Sequence, residues 1–420
     1  MSTPQRTLSH RRPAGLFRTI LAAGLGLVTA QLWAGPERTP AAGPVKPRAR
    51  DLGVPFEGTP GRYNAITDVP EVEVGHVTLI RGSGPLRVGV GPVRTGVTAI
   101  LPRGKRSRTR SIGAVISLNG NGELTGSHWV SESGFIESPI LLTNTHSVGV
   151  VHDAVIAWGN RHFPPVPGQE EAFSLPVVGE TYDGVLNDIN GMHVRPEHVF
   201  TALDTARSGP VPEGNVGGGT GMICEQFKGG IGTASRLVDT AAGRFTVGVL
   251  VQANYGRRTD LRIAGIPVGE ELKDLLPVSS PPPTARPPRA AEKQKDGSII
   301  VVLGTDAPVL PHQLQRILRR TALGLGRMGA VSYNSSGDLF VAFGRPQPPL
   351  GAGGVEQWQA LANDDLDPLL RAAVQATEES ITNALCAAQT LTGIDGTTVY
   401  ALPHDRLRDL LIKYHRSTRP

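Results

Sequence analysis

The chain has 420 residues, of which 52 are glycine and 35 are proline, a share just below that at which composition alone indicates disorder. Its 39% hydrophobic residues can bury a substantial core, and its length fits either two domains or one large sandwich. Residues 1–50 carry a net charge of +7 and the rest a net charge of −2, so the body lacks the basic surface of a nucleic-acid binder and no nucleic-acid partner is expected.

The first 34 residues have the layout of an export signal. Four arginines precede an apolar run at residues 20–34, which ends in small residues and is short for a membrane-spanning helix. We expect an exported, periplasmic protein whose leader is cleaved after Ala30 or Ala34. An uncleaved membrane anchor and a disordered basic tail are the alternatives. Residues 35–50, rich in Pro, Ala and Gly, are predicted to be a flexible linker.

The remaining residues, 51–420, are predicted to form a single domain of α+β class. Short apolar runs bounded by Gly or Asn predict strands at residues 113–118, 140–143, 246–252, 299–303 and 339–343. Helical periodicity predicts helices at residues 147–158, 313–325, 367–390 and 405–414, the last with Asp405 as its N-cap. Strands and helices do not alternate regularly, which favours layers over a doubly wound sheet.

One segment of this domain cannot enter a core. Residues 279–296 combine five prolines and four basic residues with almost no apolar side chains, which predicts an exposed linker with polyproline character. Gly297 and Ser298 follow directly and lead into an apolar strand. The chain therefore passes from a solvated linker into a buried strand at a Gly-Ser pair.

Several kinds of chemistry lack their motifs. The glycine cluster at residues 214–221 has neither dinucleotide nor phosphate-loop spacing, and no Gly-x-Ser-x-Gly elbow occurs. Close histidines lack the spacing of a zinc hydrolase, so no metal or other cofactor is expected. Two cysteines, Cys224 and Cys386, leave one bridge or two buried thiols as alternatives. Asp306 and the pair Glu378-Glu379 are interpreted as solvated carboxylates.

A cut between Gly297 and Ser298 would create a catalytic group. The new chain would begin with a serine whose hydroxyl is the nucleophile and whose α-amine, with an ordinary pKa of about 7.7 to 8.0, is a base suited to neutral pH. Glycine before the nucleophile leaves room for the distorted backbone that self-cleavage requires. From the dipeptide alone, a hinge between loop and strand is the simpler interpretation.

Five segments favour self-cleavage at Gly297-Ser298 over a simple hinge. They are GETYDGVLNDI at residues 179–189, VGGGTGMICEQFKGGIGTASR at 216–236, LVQANYG at 250–256, GSIIVV at 297–302 and SSGD at 335–338. In this order they resemble the family of L-aminopeptidase/D-esterases and β-peptidyl aminopeptidases. The resemblance implies a precursor that cleaves itself into an α chain ending at Gly297 and a β chain of residues 298–420. It also implies an α/β/β/α sandwich of the DOM type and a homotetramer.

The resemblance further implies roles for six residues of the site. Ser298 matches the nucleophile, and Ser336 and Asp338 match the pair that orients and tunes its α-amine. Asn254 and Tyr182 match two oxyanion donors, while Glu180 matches the carboxylate that holds the free amino group of a substrate. The implied function is a self-processing serine aminopeptidase acting through an acyl-enzyme on small peptides, amides or esters. Alternatives are an unprocessed exported peptide-binding protein and an acyl transferase similar to ornithine acetyltransferases, which use threonine.

Overall fold

Two β-sheets pack face to face and carry helices on their outer sides. The computed structural model describes residues 46–164, 173–279, 297–346 and 357–418. The export leader and residues 280–296 of the predicted Pro-rich linker lie outside the described residues. Within the described ranges, none of the helices is long and apolar enough to cross a membrane.

The strands are named in chain order. They are β1 (Glu73–Arg81), β2 (Val93–Leu101), β3 (Ser111–Gly120), β4 (Phe135–Ile136), β5 (Ile140–Asn144), β6 (Val177–Thr181), β7 (Ile223–Cys224), β8 (Phe227–Lys228), β9 (Gly230–Thr240), β10 (Gly243–Tyr255), β11 (Gly297–Thr305), β12 (Gly337–Pro346), β13 (Leu391–Thr392) and β14 (Thr398–Val399). The helices are α1 (Ser127–Ser133), α2 (Val148–His162), α3 (Pro196–Asp204), α4 (Val268–Glu271), α5 (Pro311–Arg319), α6 (Thr321–Arg327), α7 (Asp367–Ala387) and α8 (His404–Lys413).

The two sheets differ in size and in strand direction. The smaller has the order β1-β2-β5-β6, and the larger has the order β4-β3-β12-β11-β10-β9. Neighbouring strands are antiparallel except in the pairs β5–β6 and β11–β12. Strand β11 therefore lies in the middle of the larger sheet, between antiparallel β10 and parallel β12.

Three apolar clusters separate four layers. Ile300 and Val302 of β11 face the smaller sheet, where they pack with residues such as Ile100 and Leu142. The alternate side chains of β11, Ile299 among them, pack against the helices on the outer face of the larger sheet. Helices α2 and α3 cover the outer face of the smaller sheet. Burial on both faces explains the unbroken apolar run of β11 and gives the predicted α+β class in an α/β/β/α arrangement.

The five predicted strands are present and extend further than the apolar runs. The helix predicted at residues 313–325 is instead two helices, α5 and α6, joined at Arg320. At this junction the hydroxyl of Thr321 donates to the carbonyl of Leu318 at 2.7 Å, a local bond that competes with the helical pattern. Helix α7 ends at Ala387, three residues before the predicted end.

Two further details of the prediction were wrong. Asp405 is not the N-cap of α8: Pro403 holds that position and Asp405 lies in the first turn, where its carboxylate accepts from Arg408 and suits the helix dipole. Glu379 is not solvated, because it is fully buried in α7 and paired with Arg50 and Arg236.

The predicted linker at residues 35–50 ends too late. Ala49–Leu52 form a 3-10 helix, and Ala49 is fully buried. Arg48 forms an ion pair of 2.7 Å with the buried carboxylate of Glu213, and Arg50 forms one of 2.7 Å with Glu379. The chain is therefore part of the folded domain from Lys46 onward, and the rest of the predicted linker lies outside the described residues.

Candidate active site

Ser298 is the second residue of β11, at one end of the larger sheet. Its side chain is 7% exposed, and its hydroxyl oxygen accepts a hydrogen bond of 3.1 Å from the backbone N–H of Gly337. In the strand register Ser298 lies opposite Asn254 of β10 on one side and Gly337 of β12 on the other. The predicted nucleophile thus lies between two of the segments that the sequence singles out.

Gly297 has a backbone that only glycine adopts readily. Its φ is +70°, in the left-handed region. A Cβ at this position would lie 1.8 Å from the carbonyl oxygen of Asn254 and 3.0 Å from the Cα of Tyr255. The residue before the serine is therefore fixed as glycine both by its conformation and by the close approach of β10.

Ser336 and Asp338 flank the glycine that contacts the nucleophile. The Ser336 hydroxyl donates to the Asp338 carboxylate at 2.5 Å, and both residues are buried. Burial raises the pKa of Asp338, while the hydrogen bond from Ser336 acts in the opposite direction by favouring the carboxylate. Asp338 is paired with Ile299, so a carboxyl group lies beside the start of β11.

Asn254 has an amide group held from both ends. The backbone N–H of Ile223 donates to its Oδ1 at 2.7 Å, and its Nδ2 donates to the carbonyl oxygen of Tyr182 at 3.1 Å. The side chain is 5% exposed. Asn254, the residue directly opposite Ser298 in the strand pair, therefore has a side-chain amide whose orientation is fixed by two hydrogen bonds.

Tyr182 contacts this amide through its backbone. Its ring is half-buried and lies over Gly184, where a Cβ would come within 2.4 Å of the phenolic oxygen. The structure therefore brings Tyr182 next to Asn254 by way of its carbonyl group. The predicted donation by its hydroxyl to an oxyanion stays a prediction.

Glu180 is a buried carboxyl group on the facing sheet, at the end of β6. It is 4% exposed; its Oε1 accepts from the backbone N–H of Glu123 at 3.0 Å, and its Oε2 accepts from the hydroxyl of Thr145. Burial raises its pKa, and the hydrogen bonds from Thr145 and Glu123 partly offset this by favouring the anion.

Gly122 connects Glu180 with the nucleophile's surroundings. A Cβ on Gly122 would lie 3.2 Å from the Glu180 carboxylate and 3.5 Å from the Cα of Gly337, the residue that donates to Ser298. The six predicted site residues thus converge on one end of the interface between the sheets.

The structure also describes the cysteines, the glycine cluster and the acidic residue Asp306 that the sequence analysis singles out. Cys224 and Cys386 are both free and buried, and burial raises the pKa of each thiol. The glycine cluster is structural: a Cβ on Gly218 would lie 2.1 Å from the amide oxygen of Gln252. Within the described ranges no group of three or more His, Cys, Asp or Glu side chains is placed to hold a metal ion. Asp306 is half-buried and accepts the N–H of Thr246 at 2.6 Å, so it is not a simple solvated carboxylate.

Three contacts of the site were not predicted. They are the hydroxyl of Thr145 on Glu180, the backbone N–H of Ile223 on Asn254, and the buried ammonium of Lys228 beneath Ile223. Lys228 carried a sequence signal, since a lone lysine stands between Phe227 and a buried glycine-rich strand. The other two depend on contacts between distant segments.

Comparisons with known proteins identify the family of the chain. The chain matches the peptidase family S58 over residues 64–399. It is 55% identical over 380 residues to the β-peptidyl aminopeptidase BapA of Sphingosinicella microcystinivorans, covering 90% of this chain and 94% of that protein. It is 50% identical over 372 residues to the BapA of Sphingosinicella xenopeptidilytica, covering 87% and 91%.

A solved structure is similar over the same region. The L-aminopeptidase D-Ala-esterase/amidase of Ochrobactrum anthropi, described as a prototype of the serine aminopeptidases with a variant of the Ntn-hydrolase fold, is 44% identical. The match has a TM-score of 0.80 and covers 89% of this chain and 100% of that one. The similarity therefore extends over nearly all of the described fold.

Proposed function

The chain belongs to peptidase family S58 and is a serine aminopeptidase, and from this premise we propose that it cuts itself between Gly297 and Ser298 and works through the serine so released. The observation that supports this most directly is the position of Ser298. It lies at the start of a central strand, with Asn254 of β10 on one side and Ser336 and the first residues of β12, Gly337 and Asp338, on the other.

Self-cleavage begins with attack of the Ser298 hydroxyl oxygen on the carbonyl carbon of Gly297. The C–N bond breaks, the serine nitrogen takes up the hydroxyl proton, and an ester joins Gly297 to the serine oxygen. Water then hydrolyses the ester and leaves a Gly297 carboxylate and a free Ser298. Glycine is suited to the position before the cut for two reasons. It tolerates the left-handed φ found there, and it has no side chain that would collide with β10.

Catalysis uses the same groups again. The α-amine of Ser298 accepts the hydroxyl proton as the oxygen attacks the substrate carbonyl, and Asp338, held by Ser336, tunes that amine. The Asn254 amide, with Tyr182 as a second donor, stabilises the oxyanion. The amine leaving group departs with a proton, and water hydrolyses the acyl-enzyme.

Glu180 selects substrates that have a free amino group. Its carboxylate is held by Thr145 and by the Glu123 N–H, so it is positioned before a substrate arrives. A buried anion pairs strongly with an ammonium group and leaves a blocked N-terminus without a partner. The substrates are therefore small peptides, amides or esters with an unblocked amine, as the names of the relatives also indicate.

The experiment combines mass spectrometry with a substrate panel. The intact mass and N-terminal sequence of the purified protein should reveal a second chain of 123 residues that starts at Ser298. Hydrolysis of D-, L- and β-aminoacyl p-nitroanilides would identify the acyl group, with N-acetylated versions as the matched control. Ser298→Ala should stay uncut and inactive. An active protein of a single full-length chain would refute the proposal.

We also propose that the protein is exported and acts as a homotetramer of αβ units. Export is supported by the arginines and the apolar run of the first 34 residues. The tetramer rests on the family resemblance. N-terminal sequencing of protein from a periplasmic fraction and light scattering of the purified enzyme test the two statements separately.

A further inference from the structure

Lys228 is a buried lysine that the catalytic roles above leave unused. Burial lowers its pKa to about 7, while the three carbonyl oxygens around its nitrogen favour the ammonium form. Its residue is 0% exposed, at the end of β8. The ammonium donates to three backbone carbonyl oxygens, those of Met222 at 2.6 Å, Gly229 at 2.9 Å and Gly219 at 3.3 Å. An ammonium has three N–H groups, so each has a carbonyl partner. These hydrogen bonds hold the segment at residues 219–222 to the end of β8.

One of these carbonyls belongs to the peptide group that holds Asn254. The Met222 carbonyl oxygen accepts from Lys228, and the N–H of the same peptide group, that of Ile223, donates to Asn254 Oδ1 at 2.7 Å. The peptide group is planar and rigid. The lysine ammonium and the Asn254 side chain are therefore joined through one peptide plane.

This plane decides which way the Asn254 amide faces. With Oδ1 bound to the Ile223 N–H, the NH₂ group must point the other way, toward the Tyr182 carbonyl and the side of Ser298. A flipped amide would place NH₂ against the Ile223 N–H, two donors facing each other in a buried place.

The chain of hydrogen bonds also polarises the amide. The Lys228 ammonium polarises the Met222 carbonyl group, so the N–H of the same peptide group, that of Ile223, becomes a stronger donor. The hydrogen bond from Ile223 to Asn254 Oδ1 in turn makes the Asn254 NH₂ group a stronger donor. Both effects matter most when negative charge develops on the substrate oxygen.

We propose that Lys228 is a positioning residue of the oxyanion site, acting through the Met222–Ile223 peptide group to hold and polarise the Asn254 amide. This inference rests on the oxyanion role of Asn254 in the proposed function. It predicts that Lys228 affects turnover and leaves the binding of the substrate amine by Glu180 unchanged.

The test measures kcat and KM separately on the p-nitroanilide that the enzyme cleaves best, using variants whose self-cleavage has been checked by intact mass. Lys228→Met should lower kcat by about tenfold to a hundredfold, less than or equal to the loss in Asn254→Ala, with KM within about twofold of the unaltered enzyme. The double variant that combines Lys228→Met with Asn254→Ala should have the same kcat as Asn254→Ala alone, because the lysine acts only through the Asn254 amide. Slow self-cleavage of Lys228→Met counts as the same effect, since the oxyanion of that step uses the same amide.

Arg236→Met is the matched control for loss of a buried cation. Arg236 is 1% exposed and donates to three backbone carbonyls, but it pairs with Val247 near the opposite end of the sheet from Ser298. The Arg236→Met substitution should lower the melting temperature of the protein and leave the kcat of the folded protein unchanged. Lys228→Gln, which keeps two N–H donors without the charge, should have an intermediate kcat and serves where Lys228→Met does not fold.

Three results would overturn the inference. These are an unchanged kcat in a folded Lys228 variant while Asn254→Ala is slow, a double variant slower by the product of the two single effects, and failure of both Lys228 variants to fold. A normal kcat in Asn254→Ala would instead refute the oxyanion assignment in the proposed function. The two failures are therefore distinguishable.

Discussion

Gly297 combines a backbone constraint with the proposed scissile bond. Gly297→Ala should block or greatly slow self-cleavage, because the methyl group would lie 1.8 Å from the Asn254 carbonyl oxygen and the φ of +70° is unfavourable for alanine. Intact mass after timed expression checks this. Gly149→Ala in helix α2 is the control, since no atom lies within 4 Å of its added Cβ. Processing at the normal rate in Gly297→Ala would contradict the prediction.

Glu180 and Asp338 are both buried carboxyl groups, and they should produce different pH effects. Only the Glu180 carboxylate attracts a substrate ammonium, and burial raises its pKa, so KM should rise on acidification at a higher pH than an ordinary glutamate would give. Thr145→Val removes a hydrogen bond that lowers this pKa and should move the rise in KM to still higher pH. Initial rates measured from about pH 4 to 9 decide this, spanning the ordinary pKa values of a carboxyl and an α-amine. If the pH profile of KM is the same in Thr145→Val, Thr145 does not lower the pKa of Glu180 in the active enzyme.

Asp338 should act on kcat instead. A carboxylate near the Ser298 amine stabilises its ammonium form and so raises the apparent pKa of the catalytic base. Asp338→Asn should therefore move the acidic limb of the kcat profile to lower pH. The limb is read from the same pH series on fully cleaved protein. An unchanged limb together with an unchanged rate would exclude Asp338 from the mechanism.

Among the elements, the short helix Ala49–Leu52 is fixed by a buried ion-pair network. Arg50 donates to both oxygens of Glu379, at 2.7 and 2.8 Å, and Arg236 lies 2.7 Å from the same carboxylate. Burial alone would raise the pKa of Glu379, but the two arginines outweigh it and the pKa is lowered. The network therefore stabilises the fold at neutral pH, and this contribution is lost as the pH falls through the lowered pKa.

Arg50→Met should lower the free energy of unfolding by about 1.5–3 kcal/mol, the usual value for hydrogen bonds to a charged group. Denaturant unfolding at neutral pH measures it, and the loss should shrink in acid. Arg62→Met is the control, because that exposed side chain stacks on Tyr63 and should change stability by less than about 0.5 kcal/mol. Equal stability of the Arg50 and Arg62 variants would show that the helix is not anchored in this way.

This network also explains which elements could be predicted from sequence. Strand β11 is buried on both faces, so its apolar run was visible locally. The boundary of the N-terminal linker was not, because Arg48 and Arg50 find partners 165 and 329 residues away. The end of α7 likewise depends on Asn215, whose side chain bonds both backbone groups of Gln389. Local patterns contain no record of such contacts.

The residues of the site could be predicted from the sequence, but their detailed contacts could not. Order and residue type placed Ser298, Asn254 and Asp338 by family resemblance, and the fold brings them together at one end of the interface between the sheets. Which atom of Tyr182 faces Asn254, and which backbone N–H orients that amide, depend on three-dimensional packing. These details could not be read from the chain.

For the whole molecule, the position of the proposed cut determines how the two chains hold together. From Ser298 onward, strand β11 would belong to the β chain, but it pairs with β10 of the α chain over eight residues, from Val247 opposite Thr305 to Asn254 opposite Ser298. Strand β12 likewise pairs with β3. Helix α7 packs on β9 and β10, so the apolar cluster on the outer face of the larger sheet contains side chains from both chains.

The cut protein should therefore remain one particle and unfold in one step. Neither chain would have a complete larger sheet without the other, and separating them would expose the buried faces of β10 and β11 to water. Denaturing electrophoresis should separate the two chains in a constant 1:1 ratio, whereas light scattering under native conditions should find one particle that contains both. Calorimetry should find one unfolding transition. Uncut Ser298→Ala protein is the comparison, since it contains the same packing in a continuous chain. Release of the 123-residue chain on dilution, or two separate transitions in the cut protein alone, would mean that the sheet does not hold the chains together.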